Sequence, residues 1–354
     1  MLVFGIGFFM REIFMRLIGF LMMAAFAAAF SFAAHAEESL FAKQPVNRAA
    51  FYKAGMGDFK DIVKQDGTLP MPGRKTALQY RATFSRSAQN MPVIVWSHGA
   101  FGSHTAYTPL AEYWASHGYL VLQPTHSDSM LEGTAPNVKN PLAFKDWAQR
   151  PREVSYMIDQ LENLETLIPA LKGRVDRHLV GIGGHSFGAH TTMLLAGTQT
   201  KRPLRRGERD DFLEKRAKAF VMVSPQGTGR QIDKEAIAAM TGPFIMITGT
   251  NDDSVPNEKD YKWRLEGWNF AAAAPDRYLL LIHGAHHGFG GISGTVRFTG
   301  AGPADEDTVE AVRGAALAMF DAQLRGDVLA ANWLKNSHIA RATADGAQFM
   351  LLSK

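Results

Sequence analysis

No cysteine occurs anywhere in the 354 residues. That absence excludes disulfides, thiolate metal sites, a cysteine nucleophile and a lipidated N-terminal cysteine. A surplus of one charge is missing as well: 38 Lys and Arg stand against 34 Asp and Glu, a formal +4, and so even a balance implies no nucleic-acid partner. The local excess from Lys201 to Lys218, eight basic against four acidic residues, lacks the aromatic interleaving that single-strand binding needs. It reads as a solvated surface excursion. Repeats, heptad runs and long low-complexity linkers are lacking beyond the N-terminal segment, so residues 37–354 read as a single domain. Hydrophobic residues make up 46% of the chain, enough for a sizeable core.

The long apolar run lies at the start. Leu17 to Ala34 follows Arg11 and Arg16 and ends in Ala34-His35-Ala36 before Glu37-Glu38, the layout of a secretory signal peptide with a small-residue cleavage site. The expectation is a signal peptide over residues 1–36, with Met1, Met10 or Met15 as the start, no stable membrane span after cleavage, and a periplasmic or extracellular location. A retained membrane anchor is the rival reading, because the run approaches spanning length.

From residue 77 onward short β-rich runs alternate with helical stretches, the pattern of a mostly parallel twisted sheet with helices on both faces, an α/β fold. The candidate strands are Ala77–Phe84, Val93–Trp96, Leu120–Gln123, Leu179–Gly183, Phe220–Val223, Phe244–Thr248 and Tyr278–Ile282, several of them continuous apolar runs suited to burial on both faces. Val154, Met157, Ile158 and Leu161 fall on one helical face. Val309, Val312, Ala316 and Phe320 mark a last helix, stopped near Gly326. Residues 37–73 read as an irregular lead-in. The long loop Thr125–Gln149, with Pro136 and Pro141, is expected to project above the strand ends, where loops shape substrate access.

Gly184-His185-Ser186-Phe187-Gly188 follows one strand and precedes the helical Ala189–Ala196. Strand, tight turn and helix give G-x-S-x-G its meaning: the serine sits on a strained turn that exposes its hydroxyl, and glycines two positions either side leave room for the neighbouring strand and helix. A serine hydroxyl needs an imidazole to take its proton, and the imidazole needs a carboxylate to fix its tautomer. The carboxylate is sought first along the chain, then the histidine. Asp252, just beyond Phe244–Thr248 and four residues before Pro256, is the chosen acid, with Asp253 as runner-up. His287 is the chosen base in Gly284-Ala-His-His287, because His283 still belongs to the strand end and His286 falls one position early. A metal reading of these histidines needs further converging ligands. Ser97-His98-Gly99-Ala100-Phe101-Gly102-Ser103 follows Val93–Trp96 with the small residues of an oxyanion turn, so that the backbone N–H groups of Ala100 and Phe187 form the hole. His98 and His185 read as structural, orienting these turns. Phe101, Trp147, Trp263, Trp268 and Phe289 read as packing residues.

Together these motifs, with Leu110-Ala-Glu-Tyr-Trp-Ala-Ser-His-Gly-Tyr119 and Arg150-Pro-Arg-Glu-Val154, resemble the α/β-hydrolase superfamily over about residues 91–289. The resemblance is to predicted dienelactone hydrolases, bacterial esterases and platelet-activating-factor acetylhydrolase-like lipases. It implies a Ser186, His287 and Asp252 triad cleaving carboxylic esters, with no cofactor and no metal. Ala100 stands where these families often carry a larger residue. Dienelactone hydrolases proper use a cysteine nucleophile, so that activity does not carry over. The expectation is a secreted serine carboxylic-ester hydrolase working through an acyl-enzyme on a small-molecule or lipid-like ester. A lipase or polyester hydrolase, an amidase, an acyltransferase and a non-catalytic binding protein are the alternatives.

Overall fold

The structure is a computed structural model that describes residues 45–354, apart from 135, 138–144, 203–206, 255–258, 296, 297 and 299. The expected signal peptide therefore lies outside the described residues. Residues 46–354 pack as one unit. Their elements, in chain order, are β1 (Ile62–Leu69), β2 (Leu78–Ser85), β3 (Met91–Ser97), α1 (Thr108–Ser116), β4 (Leu120–Pro124), α2 (Gln149–Asp159), α3 (Leu161–Leu167), β5 (Val175–His185), α4 (Phe187–Leu195), β6 (Thr200–Lys201), β7 (Arg209–Asp210), β8 (Ala217–Val223), α5 (Lys234–Ala238), β9 (Phe244–Asn251), α6 (Tyr261–Phe270), β10 (Arg277–His286), α7 (Glu306–Leu324), α8 (Val328–Lys335) and β11 (Phe349–Ser353).

Nine strands form the main sheet in the order β1-β2-β4-β3-β5-β8-β9-β10-β11. The block from β4 to β10 is parallel; β2 runs antiparallel to β4 and β1 antiparallel to β2 on one side, and β11 runs antiparallel to β10 on the other. Because side chains alternate along a strand, each central strand feeds two cores. Ile94 and Trp96, Val221 and Val223, and Ile245 and Ile247 pack on one face with Trp114 of α1 and Phe320 of α7. Val93 and Val95, Phe220 and Met222, and Phe244 and Met246 pack on the other with Met157 of α2 and Leu194 of α4. This double burial is why these strands read as unbroken apolar runs.

The lead-in expectation for residues 37–73 is corrected, since β1 lies inside it and pairs with β2 along all eight residues. Its sequence, IVKQDGTL, is polar because an edge strand is half solvated, so no apolar run announced it. The terminal strand β11 and helix α8 also lay outside the sequence expectation. The charged excursion between Lys201 and Lys218 contains the two-residue ribbon of β6 with β7 before β8 begins.

Candidate active site

The strands β5, β8, β9 and β10 are successive neighbours and parallel, so their C-terminal ends line one edge of the sheet. The first residue beyond each is Ser186, Ser224, Asp252 and His287 in turn. Clefts outside the carboxyl ends of strands are where open α/β sheets bind ligands.

Ser186 has φ 58° and ψ −116°, a conformation disfavoured for any residue with a Cβ and kept only where the surroundings enforce it. Here its N–H donates to the Val223 carbonyl at 2.9 Å and its carbonyl accepts from His190, which fixes the turn from both sides. The glycines have specific reasons. A Cβ on Gly184 would lie 2.4 Å from the Gly188 carbonyl group, and one on Gly188 would lie 2.0 Å from the Ser97 oxygen. Strand β3 and helix α4 approach the elbow that closely.

His287 Nε2 lies 2.9 Å from Ser186 Oγ, and its Nδ1 lies 2.7 Å from Asp252 Oδ1. The carboxylate holds the imidazole proton on Nδ1, which leaves Nε2 to accept from the serine hydroxyl. Asp252 is fully buried, and both its oxygens are satisfied. Thr248 donates to Oδ2 at 2.9 Å and Ser224 donates to Oδ1 at 3.0 Å beside the imidazole, while the Arg264 guanidinium forms an ion pair with Oδ1 at 2.9 Å. Ser224 Oγ also stands 2.9 Å from His287 Nδ1. Arg264 donates to the Asp252 carbonyl at 2.6 Å and the Asp253 carbonyl at 3.2 Å, stapling the acid turn. Burial pulls its guanidinium below the ordinary value, against the opposing field of Asp252 and Asp253.

The other histidines of the cluster diverge. His286 turns toward Asn251, its Nε2 3.4 Å from the amide nitrogen, and the His283 backbone N–H pairs with Gln348. Strand β10 slips register between Ile282 and His286, with Gly284 at φ 75°. This irregularity redirects the chain just before His287.

His185 links the two loops that flank Ser186. Its Nε2 donates to the His287 carbonyl at 2.8 Å, so Nδ1 accepts from Tyr107 Oη at 2.9 Å, and that oxygen accepts from the Gly99 N–H at 3.1 Å. Burial holds the His185 imidazole well below its usual pKa and pushes the Tyr107 phenol up to about 12, so both stay neutral and the chain of donors keeps its sense. His98 does the same for the turn after β3: Nδ1 donates to the Gly99 carbonyl at 2.6 Å and Nε2 accepts from the His126 N–H at 3.0 Å.

Behind that turn lies a buried polar cluster that leaves little trace in the local sequence pattern. His126 pairs with Ser97 Oγ at 2.8 Å and with Glu153 at 2.7 Å, and Glu153 also pairs with Arg74. Burial pushes the Glu153 carboxyl up to about 7 despite Arg74 and Arg150. Burial raises Asp128 too, but Arg150 outweighs it and holds that carboxyl well below the usual range. Only Arg150 and Glu153 had a sequence signal, as parts of Arg150-Pro-Arg-Glu-Val154. Ser224 had the strand-end position, and Arg264 had none. Ala100 is partly exposed, and its N–H has no acceptor among the described residues. Phe187 opens α4. Phe101 and Phe289 are buried and Trp147 packs edge-on against His190 and Phe212, while Trp263 and Trp268 lie buried along α6.

A serine on a tight strand-to-helix turn of a parallel sheet, with an acid and a histidine at later strand ends, is the arrangement of the α/β-hydrolase fold. The chain has that fold and is similar to hydrolases and esterases built on it. The profile of the Chlorophyllase family matches residues 76–206. Platelet-activating factor acetylhydrolase from Bos taurus is 26% identical over 143 residues, a match covering 30% of this chain and 32% of the bovine protein. The chain thus spans about a third of that relative's length. A solved Klebsiella pneumoniae structure described as a dienelactone hydrolase superposes with a TM-score of 0.51 at 17% identity, covering 74% of this chain and 99% of the other, a likeness of fold alone. Among the described residues no helix is long and apolar enough to cross a membrane.

Proposed function

We propose that this protein is an exported serine hydrolase of carboxylic esters that works through an acyl-enzyme. One observation carries the reading: Ser186 Oγ, His287 and the buried Asp252 form a continuous hydrogen-bonded line, 2.9 Å and 2.7 Å long in its two links. In the first half-reaction His287 Nε2 takes the hydroxyl proton as Ser186 Oγ bonds to the ester carbonyl carbon, and the carbonyl oxygen takes up the negative charge. The N–H groups of Ala100 and Phe187 stabilise that oxyanion. The tetrahedral intermediate then collapses, the bond to the alkoxy group breaks, and His287 returns its proton to the departing alcohol. Water repeats the sequence on the acyl-enzyme and releases the acid and free Ser186. Asp252 holds the imidazole in orientation and balances its charge while it carries the second proton. The substrate is a small-molecule or lipid-like ester, a class consistent with the named activity of the bovine relative.

Replacing Ser186 with Ala tests this directly. Hydrolysis of p-nitrophenyl acetate and labelling by a fluorophosphonate should both disappear with folding intact; full residual turnover overturns the assignment. An amide substrate run beside the ester separates esterase from amidase. Export through residues 1–36 rests on the basic start, apolar middle and Ala34-His35-Ala36, and N-terminal sequencing of the secreted protein should begin at Glu37.

A further inference from the structure

Arg150 is only 1% exposed, yet the reaction above gives it no part. Its position is specific. From the first turn of α2, Nη1 donates to the His98 carbonyl at 2.7 Å and Nη2 to the Gly99 carbonyl at 3.2 Å, while Nε and Nη2 make a two-pronged pair with Asp128 at 2.7 Å and 2.8 Å. The guanidinium carbon lies over the Phe187 ring, 4.4 Å from its centroid. Asp128 completes the grip by accepting from the Phe101 N–H at 3.3 Å.

The Gly99 carbonyl and the Ala100 N–H belong to one planar peptide and point in opposite directions. A donor that fixes the carbonyl therefore fixes the line along which the N–H points. A positive donor also polarises the peptide, so that its N–H becomes a better donor on the far side. The other half of the pair is constrained by the same group, because the ring held beneath the guanidinium belongs to the residue whose N–H is the second donor. A lysine has no planar fork and cannot serve both carbonyls, the carboxylate and the ring together.

We propose that Arg150 is a positioning residue of the oxyanion hole, setting the direction of the Ala100 N–H and its spacing from the Phe187 N–H through contacts with Gly99, His98 and the Phe187 ring. The proposal rests on the reading of Ala100 and Phe187 as the oxyanion donors. Asp128 holds the guanidinium in plane through its two-pronged pair, so its role is indirect.

The test compares wild type, Arg150→Lys, Arg150→Met and Ser186→Ala. Each is assayed for kcat and KM on p-nitrophenyl acetate, for affinity toward a trifluoromethyl ketone that forms a tetrahedral oxyanion on the serine, and for thermal midpoint. Active sites are counted by exhaustive fluorophosphonate labelling. Expected for Arg150→Met is a fall in kcat per labelled site of about 10²-fold, the loss typical of one oxyanion donor, with KM changed less than threefold. Ketone affinity should weaken in proportion to kcat/KM. Arg150→Lys should fall between, at least tenfold below wild type, and it alone decides the matter where Arg150→Met does not fold. A lowered midpoint with kcat per labelled site and ketone affinity unchanged overturns the proposal and leaves Arg150 a structural anchor. If wild-type turnover survives Ser186→Ala, the hydrolase reading itself has failed, an outcome distinct from the first.

Discussion

Gly188→Ala is the smallest change that should reach the chemistry without touching a reacting group. The added methyl carbon would stand 2.0 Å from the Ser97 oxygen, 2.6 Å from the Ser97 carbonyl carbon and 2.8 Å from the His98 oxygen. Ordinary non-bonded contact needs roughly 3.5 Å, so helix α4 and the end of β3 must part by about 1.5 Å. Neither can yield by rotating a side chain, since every atom met is backbone, and Ser97 is paired in register with Gly184. Overpacking of this kind costs about 1–3 kcal/mol, which at roughly 2–4 °C per kcal/mol lowers the midpoint by several degrees. The catalytic loss should be larger. The displaced segment leads directly into Gly99 and Ala100, and a misplacement near 1 Å costs about 10²-fold in rate. The assay is kcat on p-nitrophenyl acetate per fluorophosphonate-labelled site, with thermal melts alongside. Gly229→Ala serves as control because a Cβ there meets nothing within 4 Å. A Gly188→Ala enzyme within twofold of wild type in kcat would refute the claim that the elbow and the oxyanion turn are locked together.

Asp252→Asn should lower kcat by about 10⁴-fold through loss of the imidazole's orientation and should also destabilise the fold by roughly 3–5 kcal/mol, because Arg264 loses its buried counter-charge; Asp253→Asn, measured beside it, should change kcat less than threefold. Glu153 predicts a pH effect on stability. Its folded pKa of about 7 lies above the ordinary 4.5, so the stabilisation it brings is complete below about pH 4.5 and is lost as pH rises through about 7, in all about 3 kcal/mol. The buried imidazoles of His98, His126 and His185 work in the opposite sense, so the contribution is read as a difference: urea unfolding at pH 5 and pH 8 should show wild type losing more stability with rising pH than Glu153→Gln. Equal changes in the two proteins count against a carboxyl that protonates near neutrality.

The central strands were legible because burial on both faces writes them as apolar runs; β3, β5, β8, β9 and β10 all enclose the runs read from sequence. Edge strand β1 was not, since IVKQDGTL carries no apolar run and is a strand only because β2 offers it a hydrogen-bonding edge. The site divides in the same way. Ser186, Asp252 and His287 were named by their distance beyond apolar strands, and theirs are the side chains that hydrogen bonds join. Asp128, His126 and Arg264 were not, because a buried polar group announces itself by its partners, and those partners lie between 11 and 27 residues away along the chain.

Sequence alone settled which central runs become strands and which residue types follow them, because turn chemistry and strand burial are local properties. It also ranked His287 ahead of His283 and His286 by position beyond the strand. Tertiary structure decided the direction of the peptides that would meet an oxyanion, the choice of Ser224 and Arg264 as companions of Asp252, and the linkage of two loops through His185 and Tyr107. Those depend on distances across neighbouring strands of a twisted sheet, a quantity that only the completed packing sets.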